Sequence, residues 1–184
     1  SGSSAMMPTL NLGSTDFRGV NLAGVNLANA ILTSALFDQT TVFSANVGGQ
    51  QQGVNLSYTG ANLSTLDLSS KDFRGVNLAG VNLSNANLTS ALFDATTVFS
   101  GIDPLSGQRI GANLSNTTNN GALLDSIAAN ADMRGVNLIG VRLSTPNFTG
   151  SFDNTTIFSV QNGGLSIGAN LAGSSASMQF LNLG

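Results

Sequence analysis

Any acid–base chemistry in this 184-residue chain would fall to aspartate. All nine acidic residues are Asp, His and Cys are absent, and Tyr58 and Lys71 are the sole residues of their types. A serine nucleophile needs a base beside it, usually His, and zinc sites draw on Cys and His. A phosphate loop of the Walker type needs Gly-Lys-Ser/Thr, whereas Lys71 is preceded by Ser70 and followed by Asp72. The Asp residues fall where turns favour them. The sequence therefore predicts no enzyme, no cofactor and no metal.

Binding chemistry is the remaining possibility, and three groups of residues could supply it. The first is a recurring triplet of opposite charges around one apolar residue: Asp16-Phe17-Arg18, Asp72-Phe73-Arg74 and Asp132-Met133-Arg134. Arg18 and Asp38 are 20 residues apart, as are Arg74 and Asp94, while Arg134 and Asp153 are 19 apart. If the chain coils with that period, each Arg stacks on the later Asp as an exposed pair. The alternative is a binding edge built from Arg18, Arg74 and Arg134. The second group is Phe43, Phe99 and Phe158, each closing a Thr-Thr-Val-Phe or Thr-Thr-Ile-Phe segment. An unbroken register turns these outward as a hydrophobic stripe for a partner; a one-residue bulge turns them inward. The third is the uncharged C-terminal stretch with Met178, Phe180, Leu181 and Leu183, which fits a homodimer stacked end to end through the last coil.

What must position these residues is a repeat of five. Val20-Asn21-Leu22, Val25-Asn26-Leu27, Ala61-Asn62-Leu63 and Val76-Asn77-Leu78 share the order small, Asn, large. The large residue then recurs at Leu12, Phe17, Leu22, Leu27, Leu32, Phe37, Val42 and Val47. It recurs again from Leu63, Leu68, Phe73, Leu78, Leu83, Leu88 and Phe93 to Val98, and in a third run through Met133, Leu138, Leu143 and Phe148. A period of five suits neither a helix nor a plain alternating strand. It suits a short extended piece followed by a turn, with the large residue and the small one two before it on the same side. No helix longer than about two turns is expected between residues 10 and 100.

A longer duplication overlies this period. Residues 16–44 return at 72–100 and, more loosely, at 132–159. Between the blocks, Gly48–Gly53, Pro104–Ile110 and Gln161–Ile167 break the register and read as protruding loops. Residues 116–130 read as imperfect coil, so 7–184 is taken as one domain, with 1–6 an expression-tag remnant.

The A(N/D)LXX pattern resembles the pentapeptide repeat family, a bacterial family well represented in cyanobacteria. The resemblance implies an all-β, right-handed quadrilateral β-helix with loop insertions, four pentads to a coil, with Leu and Phe along the axis. It implies a non-enzymatic structural or protein-interaction scaffold. One alternative is a DNA-mimic modulator of DNA gyrase or topoisomerase; another is a secreted or envelope-associated adhesin or effector segment.

Composition narrows these classes. Charged residues make up 8%, against about 25% in an ordinary domain, and the net charge is −3. That disfavours direct nucleic-acid binding, which needs clustered cations, yet it is modest for a DNA mimic. No apolar run is long enough to span a membrane as a helix, and no leader segment is visible. Location is left open, with the cytoplasm slightly favoured. The protein partner is unnamed by the sequence.

Overall fold

Each five-residue step closes on itself through its polar residue. In the computed structural model, which describes residues 10–115, 132–139, 141, 151–152, 154–162 and 165–168, Asn21 Oδ1 accepts the N–H of Ala23 at 3.0 Å. Asn26, Asn62, Asp67, Asn82 and Asn87 accept from the residue two further on in the same way. Only a side chain as short as Asn or Asp makes this turn, which explains why Glu never takes the position. The next backbone bond reverses the chain: Val25 N–H donates to Leu22 O at 2.9 Å. Gly24, with φ of +74°, sits at the third residue of that turn. Asn29, Ser70, Asn85 and Ser90 adopt the same left-handed conformation, at a cost that glycine avoids.

Between turns the extended residues pair in parallel with residues one rung away. Asn11 pairs with Ile31, Asp16 with Leu36, Asn62 with Asn82, Asp67 with Asn87 and Asp72 with Leu92, a constant spacing of 20. Polar ladders run across the rungs: Asn82 Nδ2 donates to Asn62 Oδ1 at 3.1 Å, and Asn87 Nδ2 to Asp67 Oδ1 at 3.0 Å. No helix occurs among the described residues.

The large residues form the core. Leu22, Leu27, Leu32, Leu63, Leu68, Leu78, Leu83, Leu88, Met133 and Leu138 are buried, with Ala30, Ala61, Val76, Val81 and Ala86 beside them. Phenylalanines make a continuous column: Phe17, Phe37, Phe43, Phe73, Phe93 and Phe99 follow one another at centroid separations from 5.2 to 6.1 Å. Stacked and tilted ring pairs of this kind add to the stabilisation from burial.

The expected register fails at the end of each block, for a physical reason. The step from Phe37 to Phe43 has six residues rather than five, and so has the step from Phe93 to Phe99. Val42 pairs with Asn21 and Val98 with Asn77, so each Val takes the outward place that Asn holds elsewhere. Val47, also expected inside, is exposed. Thr41 and Thr97 take the small inward place instead. Their buried hydroxyls donate to Phe17 O and Phe73 O, each at 3.0 Å, and Thr156 does the same to Met133 O at 3.0 Å. A hydroxyl can enter the core here because the carbonyl it meets needs a donor.

The interruptions are not irregular loops. They are antiparallel hairpins: β1 (Ser44–Val47) with β2 (Gln50–Gly53), β3 (Ser100–Ile102) with β4 (Arg109–Gly111), and β5 (Ser159–Asn162) with β6 (Leu165–Gly168). Gly48 and Gly49, at φ of +62° and +86°, close the first with the paired left-handed residues that a two-residue hairpin turn demands.

Candidate interaction surface

Each hairpin grows directly from the bulged phenylalanine. Val54 N–H donates to Phe43 O and Ala112 N–H to Phe99 O, both at 2.8 Å, so the strands leave and re-enter the stack at one point. Exposed apolar side chains stand on the first two, Val47 at 49%, Ile102 at 51% and Leu105 at 70%, among exposed polar ones such as Asn46, Gln50 and Gln108.

The base of each of the first two hairpins is seated on the charged triplet of the following block. Ser44 Oγ donates to Arg74 O, and Gln51 Nε2 donates to Ser44 Oγ at 2.6 Å and to Asp72 Oδ2 at 3.0 Å. The second hairpin repeats this with Arg109 in the place of Gln51. Ser100 Oγ donates to Arg134 O, and Arg109 reaches Asp132 Oδ2 at 2.9 Å. The backbones meet with no room for a side chain. A Cβ on Gly53 would lie 2.2 Å from Gly75 C, and one on Gly111 would lie 2.3 Å from Gly135 C.

The charged residues pair differently from the 20-residue expectation. Arg18 binds its own triplet's Asp16 through two contacts of 2.9 and 2.6 Å. Arg74 grips Asp72 and Arg134 grips Asp132 in the same two-pronged way. Two residues apart on an extended strand share one side, so the guanidinium fork reaches the nearer carboxylate and the Asp one rung away caps its own turn. Asp38 Oδ1 accepts the N–H of Thr40 at 2.7 Å, and Asp94 that of Thr96 at 2.8 Å. The binding edge considered for Arg18, Arg74 and Arg134 is thus occupied by these pairs. The Thr-Thr segments are also accounted for as one capping Thr and one buried Thr.

These contacts set the acidities. The side-chain hydrogen bond from Arg18 holds Asp16 down at about 2, against an ordinary 3.8. At Asp132 burial pushes upward, but hydrogen bonds from Arg134 and the charges of Arg109 and Arg134 outweigh it, leaving the carboxyl below its ordinary value. A depressed carboxyl stabilises the fold fully above its unfolded value and loses that contribution as pH falls through the folded one. The urea midpoint should therefore hold between pH 7 and 5 and fall below about pH 4. Asp132→Asn should flatten part of that fall, and an unchanged acid limb in the variant would contradict the role given to this carboxylate.

Of the candidate interface residues, Phe43 and Phe99 are core, each 1% exposed. The bulge turns them inward, so they offer no outward stripe. Phe158 is half-buried, its ring 5.1 Å from that of Phe152. Met178, Phe180, Leu181 and Leu183 lie outside the described residues, as do Leu143, Phe148, Asp153 and residues 116–130. The hairpin tips were missed as a surface, although Asn46-Val47-Gly48-Gly49 carries the turn signal. Among the described residues no group of acidic, His or Cys side chains could hold a metal, and no helix is long and apolar enough to cross a membrane.

The family model for pentapeptide repeats matches the chain in eight copies, over residues 11–46 and 59–94. No curated protein matches it.

Proposed function

Because this chain carries a pentapeptide repeat array within residues 11–94, we propose that it is a non-enzymatic scaffold whose projecting hairpins engage a protein partner. In this reading the rungs form one right-handed quadrilateral β-helix, and its task is to hold the hairpins at fixed positions. The observation that carries the proposal is the contrast between the two ends of each of the first two hairpins. The base is locked by buried backbone contact and hydrogen bonds, while the tip presents Val47, Ile102 and Leu105 to solvent. A rigid mount bearing a few exposed apolar anchors loses little conformational freedom on binding. The DNA-mimic alternative calls for an extended acidic face, and Asp16, Asp72 and Asp132 are each neutralised by Arg.

The test is site-specific photocrosslinking in extracts of the source cells. A crosslinker at Leu105 or at Val47 should capture one and the same protein. A crosslinker at Ser64, on a rung turn, should not, and Leu105→Ser should reduce capture at Val47. Capture from Ser64 with none from the hairpins would refute the proposal. DNA gyrase supercoiling should be unaffected by the protein.

A further inference from the structure

Among the described residues, the bulkiest side chain held in the left-handed backbone region belongs to the sole tyrosine of the chain. Tyr58 has φ of +59°. Asn55, three residues before it, pairs with Asn26 on one rung and with Asn77 on the next. Counted from those two residues, the same place holds Asn29 at +61° and Gly80 at +78°, the residue types that take this conformation most readily. An aromatic side chain there is an outlier, and such outliers persist where the surroundings hold them. What Tyr58 touches is the second hairpin. A Cβ built on Gly101 would lie 2.2 Å from Tyr58 Oη and 3.4 Å from Cζ, so the ring lies across β3 where only glycine admits it. Gly101 pairs with Ile110 as Ala45 pairs with Gln52 in the first hairpin, which therefore lacks the gap. Ile110 Cγ2 lies 3.2 Å from the Cβ position of Gly80, and Tyr58 Cα lies 3.7 Å from it, so the partner strand closes the same contact. Burial, and then the charge of Asp103 beside the turn of that hairpin, push the Tyr58 pKa up against a smaller pull from Arg109. The phenol is thus neutral at ordinary pH.

The other end of the same rung is tied to the first hairpin. Four residues before Tyr58, Val54 N–H donates to Phe43 O at 2.8 Å, where β2 returns to the stack. Tyr58 N–H itself donates to Ala79 O at 2.9 Å. The five residues from Val54 to Tyr58 therefore form a bar with the first hairpin at its start and the second against its end. We propose that Tyr58 is a positioning residue, a strut that fixes the second hairpin relative to the first so that Val47 and Leu105 meet the partner together. This rests on the reading that both hairpins engage one partner, and it names the residue on which that joint engagement depends. A hairpin held in place before binding loses less freedom when the partner arrives.

One arm of the test needs no partner. The sequence has no Cys, so spin labels on Val47→Cys and Leu105→Cys report the distance between the two hairpins without background. With Tyr58 in place the distance distribution should be narrow. Tyr58→Gly removes the ring and suits the left-handed backbone, so the urea midpoint should hold while the distribution broadens roughly twofold. Gly101→Ala, which pushes β3 off the ring, should broaden it as well, and Tyr58→Phe should keep it narrow. The second arm is photocrosslinking from Leu105 in extracts of the source cells. Tyr58→Gly should lower capture by about fivefold or more, because the hairpin must then be ordered on binding, and Tyr58→Phe should capture normally. A distribution equally narrow in Tyr58→Gly and Gly101→Ala would overturn the proposal. So would capture that is unchanged when the distribution broadens. An unsubstituted chain that captures nothing from either hairpin would refute the partner reading, and the distance arm would still decide whether Tyr58 holds the second hairpin in place.

Discussion

Leu83→Asp should abolish cooperative folding of the array, whereas Val98→Asp should leave it nearly intact. Leu83 is 1% exposed, and its N–H donates to Asn113 O at 2.8 Å. Asn82 beside it is paired with Asn62 on one side and Asn113 on the other, so a carboxylate here has rungs both above and below. The change removes about 2 kcal/mol of burial and places an unpaired charge among Leu and Val side chains, at several kcal/mol more. A domain is stable by only about 5–15 kcal/mol, so the loss is decisive. Val98 is 39% exposed and lies beside Asn77; Asp there should cost about 1 kcal/mol or less. Thermal melts followed by circular dichroism separate the two. A cooperative, wild-type-like melt for Leu83→Asp would mean that the large residues do not face the core, and collapse on Val98→Asp would mean that the six-residue step is misplaced.

The second large effect lies where two backbones touch. Gly53→Val should destabilise the chain by about 3 kcal/mol, because a Cβ would lie 2.2 Å from Gly75 C and 2.3 Å from Val76 N and backbone cannot yield as a flexible side chain can. Relief requires lifting the hairpin. That would loosen the Ser44 bond to Arg74 O and the Gln51 bond to Asp72, and disturb the Phe43–Phe73 pair at 5.2 Å. Gly48→Ala is the control: it meets open space and pays only for φ of +62°, about 1 kcal/mol. Equal urea midpoints for the two variants would show that the hairpin base is not close-packed against the next block.

Much of this was legible in the residues. The period of five, the inward side of Leu27 and Leu83 and the outward side of Asn and Asp all follow from side-chain size and polarity repeated many times over, while the 20-residue coil was what the family resemblance implied. Each repeat votes for the same register, and no local accident outweighs the rest. The C-terminal interface was argued from the open end of a repeat stack and the uncharged apolar residues there, and those residues lie outside what the structure describes. The inserted segments defeated the reading because they occur once per block. Gly48–Gly53 was recognised as a break, but its Gly-Gly step between Asn46-Val47 and Gln50-Gln51 also marks a tight hairpin turn. At Thr40-Thr41-Val42-Phe43 the recurring Phe is bulkier than the Val that the strict period selects. Hydrophobic size was the available sign that the register slips there.

By itself the sequence determined the rung. A short polar residue turns the chain and a large apolar one fills the axis, because these are properties of five neighbouring residues. Only the tertiary structure decided where the charges and phenylalanines went. Arg18 chooses Asp16 over Asp38, Thr41 enters the core to serve Phe17 O, and Gly53 meets Gly75 backbone to backbone. Each choice sets a contact within the strand against one across the stack. Which wins depends on distances between segments that become neighbours only when the rungs are laid on one another.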